Sequence, residues 1–330
     1  MSVCPEIYRL YESCRLCPRA CGVNRLREDM GVCGQTHTIK LACACLHRGE
    51  EPPLCGEQGS GTLFFSGCTL KCESCQNTQI SLGALGGEVT PPALADIMCR
   101  LQALGAANIN LVTGTHFLPG ILYALDLARG RGLDLPVVWN TSGYEQPDMI
   151  RLLGAGYADI FLTDIKTLDP DLARILCNAA DYPARAAEAA RLMTALKPPL
   201  WKHGLLKQGV IVRHLVIPGE IASTGRVIDW YRRECGRAAL FSLMLQFLPV
   251  QGAAGETSGI RAGGRLSKHE CDAALSLLYS GEIAEGFVQE PAEDDSWLPD
   301  FTRPNPFPVD CATPVWHYRY GFVRHESGSP

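Results

Sequence analysis

Three cysteines in the spacing Cys68-x3-Cys72-x2-Cys75 follow directly on a short β-prone run, Thr62-Leu63-Phe64-Phe65-Ser66, that ends at Gly67. Three thiolates on one short loop can wrap an iron–sulfur cubane and leave its fourth iron without a protein ligand. An open iron is what an exogenous chelator requires. A zinc site is the competing reading, but structural zinc takes four ligands and this loop would need a distant fourth. A second set, Cys14, Cys17, Cys21 and Cys33, has the spacing C-x2-C-x3-C-x11-C and is flanked by Gly22, Gly31 and Gly34. Four thiols among glycines that permit tight turns can close on one tetrahedral metal or on one cubane. Zinc leads slightly there as a closed structural site, a second cluster stays open, and free thiols are the bland alternative. Cys43, Cys45 and Cys55 lie between the two sets and could supply substitute ligands. Cys99, Cys177, Cys235 and Cys271 fall in helical stretches and read as small buried hydrophobes.

The chain has 330 residues and 16 cysteines, 46% hydrophobic and 20% charged residues, and a formal net charge of −5. Cysteine at roughly 5% is short of the 8–10% of a disulfide scaffold. No run of about 18 apolar residues suggests a transmembrane helix. Residues 1–14 lack a basic start followed by an apolar stretch, so a signal peptide is not expected either. A cytoplasmic location follows as the expectation, and a reducing compartment favours metal or catalytic roles for clustered thiols. A pI near 5.9 argues against a general nucleic-acid or anionic-membrane surface.

The elements that must position these thiols are legible from periodicity. Apolar strands start near residues 62, 108, 135, 158, 209 and 240. Helical spacing marks Pro91 to Leu104, Leu118 to Arg129, Met149 to Leu153, Pro183 to Leu196, Thr224 to Glu234 and Lys268 to Tyr279. Continuous apolar strands alternating with helices imply parallel βα units covered on both faces. The expected class is α/β, a partial (β/α)6 TIM-type barrel over residues 60–285. A loop-rich, Cys-rich module (1–59) precedes it, and an irregular C-terminal strap (286–330), carrying Trp316 to Tyr320, follows. Ligands then belong at the carboxyl ends of the strands.

Ordered landmarks run through the chain: Cys-Arg-Leu-Cys-Pro-Arg-Ala-Cys-Gly-Val-Asn-Arg (14–25), His47 with Glu50-Glu51-Pro52, Gly59-Ser60-Gly61 and Cys68 to Asn77. Asn108 to Thr113, Asn140-Thr141-Ser142-Gly143-Tyr144 and Arg213 to Gly219 continue the series. Over roughly residues 14–285 the sequence resembles the radical SAM superfamily, and more closely an uncharacterised branch related to pyruvate formate-lyase activating enzymes. The resemblance implies a [4Fe-4S] cluster on Cys68, Cys72 and Cys75 whose open iron chelates the amino and carboxylate groups of S-adenosylmethionine (SAM). One electron then yields methionine and a 5′-deoxyadenosyl radical, which abstracts a substrate hydrogen; the reaction is that of an oxidoreductase supplied by an electron donor such as flavodoxin or ferredoxin.

By the same resemblance, Asp164-Ile165-Lys166 places a lysine near the SAM carboxylate, and Arg213, a guanidinium in a buried strand that needs an anionic partner, would hold that carboxylate too. His214 alternates to the other face. Asn140, Thr141 and Ser142 suit ribose hydroxyls, although Asn140 replaces the acid of the activating enzymes. Ser74 stands where relatives often have an aromatic residue. The Gly-Gly-Glu of relatives has no counterpart after the second strand. Thr113 and Thr115 occupy that place, leaving the methionyl amine to hydroxyls and backbone carbonyls. His47, Glu50 and Glu51 would border the substrate cavity, where a carboxylate could fix an amine or peptide N–H. The expected function is a glycyl-radical activase. The alternatives are a radical SAM enzyme acting on another protein, peptide or small molecule, and a non-enzymatic iron–sulfur or metal-binding protein.

Overall fold

The computed structural model describes residues 4–83, 85–250, 264–283, 285–292 and 294–323. Its strands are β1 (Lys40–His47), β2 (Ser60–Phe65), β3 (Gly87–Glu88), β4 (Ile109–Val112), β5 (Val137–Thr141), β6 (Ile160–Asp164), β7 (Leu200–Lys202), β8 (Leu205–Leu215), β9 (Leu240–Met244), β10 (Gly286–Gln289), β11 (Ala312–His317) and β12 (Gly321–Phe322). The sheet order is β10-β9-β8-β6-β5-β4-β2-β1-β11-β12, with β3 paired to β1 and β7 to β8. Every neighbour from β2 to β10 along this path pairs in parallel. The six strands expected from apolar runs are β2, β4, β5, β6, β8 and β9, and the fold is a partial TIM-type barrel.

Helices form where caps and apolar spacing agree. In Pro91–Ala103 the Thr90 hydroxyl accepts the Ala93 N–H, and proline fills the first turn, where its missing N–H costs nothing. Leu94, Ile97, Met98 and Leu101 of that helix are fully buried with Leu63, Ile109 and Leu111 of the sheet. Lys268–Ser280 opens on a capping box between Ser267 and Glu270. The helix Pro170–Cys177, whose bounds the periodicity did not mark although Cys177 reads as helical, is capped by the Asp169 carboxylate, which accepts from Asp171 and Leu172.

Strand alternation splits the core in two. Outward-facing residues join the helices. Inward-facing Val138, Ile160, Leu162 and Ile211 pack together with Leu54, Leu206 and Leu240. Leu54 belongs to the short helix Pro52–Cys55 in the β1–β2 connection, so that connection plugs the barrel interior. Asn108 pins the plug, donating to the Leu54 carbonyl at 2.7 Å while accepting from Ser60 Oγ at 2.6 Å.

Two expectations are corrected. The region read as loop-rich contains β1, antiparallel to β2, whose central residues are all buried. A strand covered on both faces shows no alternation to read. The C-terminal segment is likewise more regular than expected. β10 is a seventh parallel strand at one edge of the sheet, and β11 pairs with β1 at the other. The segment between them therefore runs from one edge of the open barrel to the other.

Candidate active site

The loop that follows β2 begins at Gly67, whose φ of +83° suits glycine, and Lys71 within it also has positive φ (+53°). Backbone N–H groups of the loop face sulfur: Leu70 donates to Cys68 Sγ at 3.4 Å, and the Asn77 N–H faces Cys75. Three neighbours pin the loop. Arg19 Nε donates to the Thr69 carbonyl at 3.0 Å, Asn178 Nδ2 to the Lys71 carbonyl at 3.0 Å, and Gln76 Nε2 to the Gln246 carbonyl at 3.3 Å. Burial, followed by the charges of Cys72 and Cys68, pushes the Cys75 thiol up to about 12, and burial also raises Cys68. Three buried thiols, whose desolvation outweighs the nearby Lys166 charge and backbone N–H groups, suit a cationic iron core.

Cys68, Cys72 and Cys75 open onto a cavity of about 1120 Å³ at the carboxyl ends of the strands. Ser74, Thr113, Asn140, Thr141, Ser142, Asp164, Lys166 and Arg213 line it, together with His47 at the end of β1 and Glu50 and Glu51 from the plug. Parallel register sets Asp164 opposite Arg213 and Val112 opposite Asn140, so the polar ends sit in one layer above the apolar barrel floor. Lys166 Nζ lies 2.5 Å from Asp164 Oδ2. Burial alone would lower the Lys166 pKa, but the Asp164 charge overcomes it and keeps the ammonium protonated well above its usual range. The ring of Tyr182 braces this corner: its hydroxyl donates to the Ser142 and Asp164 carbonyls at 2.8 and 3.0 Å and receives the Lys166 N–H at 3.0 Å.

Arg213 lines the cavity, but the anion it needs is supplied by the chain itself. Nε donates to Glu51 Oε1 at 2.7 Å and Nη2 to Glu51 Oε2 at 2.6 Å, with Glu50 also accepting from Nη2. Burial would raise the Glu51 carboxyl; the Arg213 charge and hydrogen bonds overcome that and hold it below the usual carboxylate range. In this arrangement Arg213 orients the plug carboxylates. Asn110 Nδ2 steadies Glu50 at 3.0 Å, and His47 Nδ1 lies 3.9 Å from it. His214 faces outward as alternation requires, with Nδ1 2.7 Å from the Ile165 carbonyl and Nε2 3.0 Å from Thr224 Oγ1.

Thr115 departs from its expected place. Its hydroxyl donates at 2.6 Å to Glu145 Oε1, which also receives Thr141 Oγ1 at 2.5 Å and Trp139 Nε1 at 3.2 Å. Glu145 is buried, its pKa raised by desolvation against these donors, and it keeps Thr115 out of the cavity. Thr113, at φ +59°, remains there. Cys177 is buried in the core at the end of the helix Pro170–Cys177, as its reading as a small buried hydrophobe in a helical stretch expects, and tertiary packing also sets it beside Cys72 and Lys166. Cys43 and Cys45 pack instead with Phe64, Phe301 and Ala312, and Cys55 donates to the Arg48 and Glu50 carbonyls, away from the N-terminal thiols. The far wall of the cavity comes from the C-terminal segment, including Phe287, Gln289, Glu290, Asp294, Trp297 and Phe307.

A profile of the radical SAM superfamily matches residues 62–230, which include the three-cysteine loop and strands β4 to β8. The chain belongs to the radical SAM superfamily. Membership carries a [4Fe-4S] cluster and SAM as cofactors, and the thiol loop, the charged strand ends and the adjoining cavity fit both. An uncharacterized protein of Methanocaldococcus jannaschii is 29% identical over 277 residues, 81% of this chain and 75% of that protein. A radical SAM methyltransferase from Sphaerobacter thermophilus shares the fold, with 15% identity and a TM-score of 0.50 over 71% of this chain and 67% of that one. SuiB of Streptococcus suis, solved with its precursor peptide SuiA, matches at 12% identity and a TM-score of 0.49 over 68% of this chain. The match spans less than half of the SuiB chain, 47%. These likenesses concern the radical SAM fold, and none of them is to an activating enzyme. No helix among the described residues is long and apolar enough to cross a membrane.

Proposed function

We propose that Cys68, Cys72 and Cys75 hold the [4Fe-4S] cluster, that SAM lies between it and the ends of β4, β5 and β6, and that a hydrogen is abstracted from a substrate enclosed by the C-terminal segment. The observation that carries this reading is one continuous cavity, bounded on one side by the three thiols and the polar strand ends and on the other by Phe287, Gln289, Glu290, Asp294, Trp297 and Phe307. When bound, the cluster and SAM supply one-electron cleavage of the sulfonium to methionine and a 5′-deoxyadenosyl radical. The chain supplies position and exclusion of water. Lys166 meets the methionyl carboxylate, Asn140 and Ser142 the ribose hydroxyls, and Thr113 the methionyl amine. Glu50, held by Arg213 and Asn110, offers a carboxylate to a substrate amine or peptide N–H.

The substrate reading favours a small molecule or a short peptide segment. A glycine loop of a folded partner would have to pass a segment that crosses the barrel from edge to edge and places Trp297 and Phe307 in the cavity wall. Anaerobic reconstitution with iron and sulfide, reduction with dithionite and addition of SAM should yield 5′-deoxyadenosine. None, with iron fully loaded, would overturn the enzymatic reading. An EPR glycyl doublet on mixing with a glycyl-radical partner would establish the activase reading instead.

A further inference from the structure

The second thiol set is not absorbed by that chemistry, yet the chain folds it into a compact site. Cys14 is bracketed against the Gly22 turn, its N–H donating to the Val23 carbonyl and its carbonyl accepting from Gly22. The Ala20 N–H donates to the Cys17 carbonyl, turning the chain between Cys17 and Cys21. Cys21 Sγ and Cys33 Sγ flank one point beside Gly31, at 3.2 and 3.8 Å from where its Cβ would lie. Cys14, Cys17 and Cys33 are buried.

Two further observations point to what the four would hold. Two of their sulfurs are treated as the active-site sulfurs are: the Cys17 thiol faces the N–H of Arg19, two residues on, and Cys21 Sγ accepts from Val32 at 3.4 Å, while the Cys33 thiol donates to the Gln35 carbonyl at 4.0 Å. Cys68 with Leu70 and Cys75 with Asn77 repeat the same two-residue turn. Such N–H groups suit sulfur that carries negative charge. In addition, among the described residues no three His, Cys, Asp or Glu side chains converge closely enough for a single metal ion. That holds equally for Cys68, Cys72 and Cys75. A cubane seats each thiolate on its own iron and so takes a wider set than a single metal ion.

We propose that Cys14, Cys17, Cys21 and Cys33 ligate a second, fully coordinated iron–sulfur cluster that passes electrons to the catalytic one. The position supports the relay. Arg19, two residues from Cys17, bonds the Thr69 carbonyl at 3.0 Å, and the Cys33 carbonyl lies 3.1 Å from where a Cβ of Gly67 would be, next to Cys68. One electron enters from a reduced flavodoxin- or ferredoxin-type protein and one leaves to the catalytic cluster, with no bond made or broken in the module. The relay rests on the reading of Cys68, Cys72 and Cys75 as catalytic ligands.

The test is anaerobic reconstitution of the full chain and of Cys72→Ala and Cys17→Ala variants, read first by iron content and EPR. About eight irons per wild-type chain are expected, and about four in each variant, from four irons per cubane. Cys72→Ala should keep a dithionite-reduced EPR signal that SAM does not perturb, whereas the signal left in Cys17→Ala should shift with SAM. The ratio of 5′-deoxyadenosine formed with the protein donor to that formed with dithionite should fall at least tenfold in Cys17→Ala. Four irons in wild type and none in Cys72→Ala would overturn the second cluster while leaving the catalytic one standing. Iron retained in Cys72→Ala with wild-type SAM cleavage would instead overturn the catalytic assignment. One zinc per chain lost with Cys17→Ala, or an unchanged donor ratio, would overturn the relay. If Cys17→Ala does not fold, the half-exposed Cys21→Ala takes its place.

Discussion

The two thiol sites of this chain share a local device and differ in what surrounds it. Both place cysteines in turns whose backbone N–H groups face sulfur. The barrel triplet has one thiol fewer and opens on a cavity with Lys166, Asp164 and Asn140 at its rim. The N-terminal quartet is closed, with Cys14 packed among Tyr11 and Leu16 and contacts from Val23 and Met149. A missing ligand is useful only where the surrounding residues can receive what takes its place. Strand ends of a parallel barrel provide that, because alternation sends side chains of several strands to one layer. A loop packed on a helical face does not.

Five expected outcomes sharpen or break this contrast. Cys72→Ala should have the largest effect, reducing 5′-deoxyadenosine to background; SAM cleavage at the wild-type rate would end the assignment of the triplet. Glu51→Gln should cost about 3 kcal/mol of stability, since it leaves the buried Arg213 underpaired. A urea midpoint within error of wild type would show that the plug does not hold the open site. Lys166→Met should weaken SAM binding by about tenfold or more, in line with loss of one charge-assisted hydrogen bond. Equilibrium binding measures it, and unchanged affinity would place the carboxylate elsewhere.

Gly67→Ala tests the junction of the two sites. The new Cβ would sit 2.6 Å from Gln35 Cγ at a φ of +83°, so a loss of about 2 kcal/mol is expected. A neutral result would mean that the module and the cluster loop are not rigidly joined. The mildest outcome, away from both thiol sets, concerns His214, whose pKa burial lowers to about 4. Between pH 6.5 and about 4 the unfolded chain binds a proton that the folded chain does not, so stability falls as pH drops through that window. The contribution at pH 5 is on the order of 2 kcal/mol, and His214→Asn should remove it from the pH dependence of the urea midpoint.

The positions of the strands and most helices were legible because apolar spacing reports which faces meet a core. The gathering of Cys68, Cys72 and Cys75 at one cavity was legible because thiols that lie close in the chain need only a loop to bring them together. The place of Lys166 and Asn140 on the cavity wall was legible by adjacency to strand ends. By contrast, β1 was hidden by burial on both faces, and β10 by its place in a segment rich in proline and acid. Partners distant in sequence were hidden as well. Arg213 called for an anion, but only the plug entering the barrel made Glu51, 162 residues away, that anion. Cys177 met Cys72 only because packing brings the end of its helix to the cluster loop. Thr115 left the cavity only because Glu145 was buried behind it. Local spacing determined which atoms could hold a metal; tertiary packing decided which charges were already spent on one another, since a buried charge takes whatever partner the fold brings within reach.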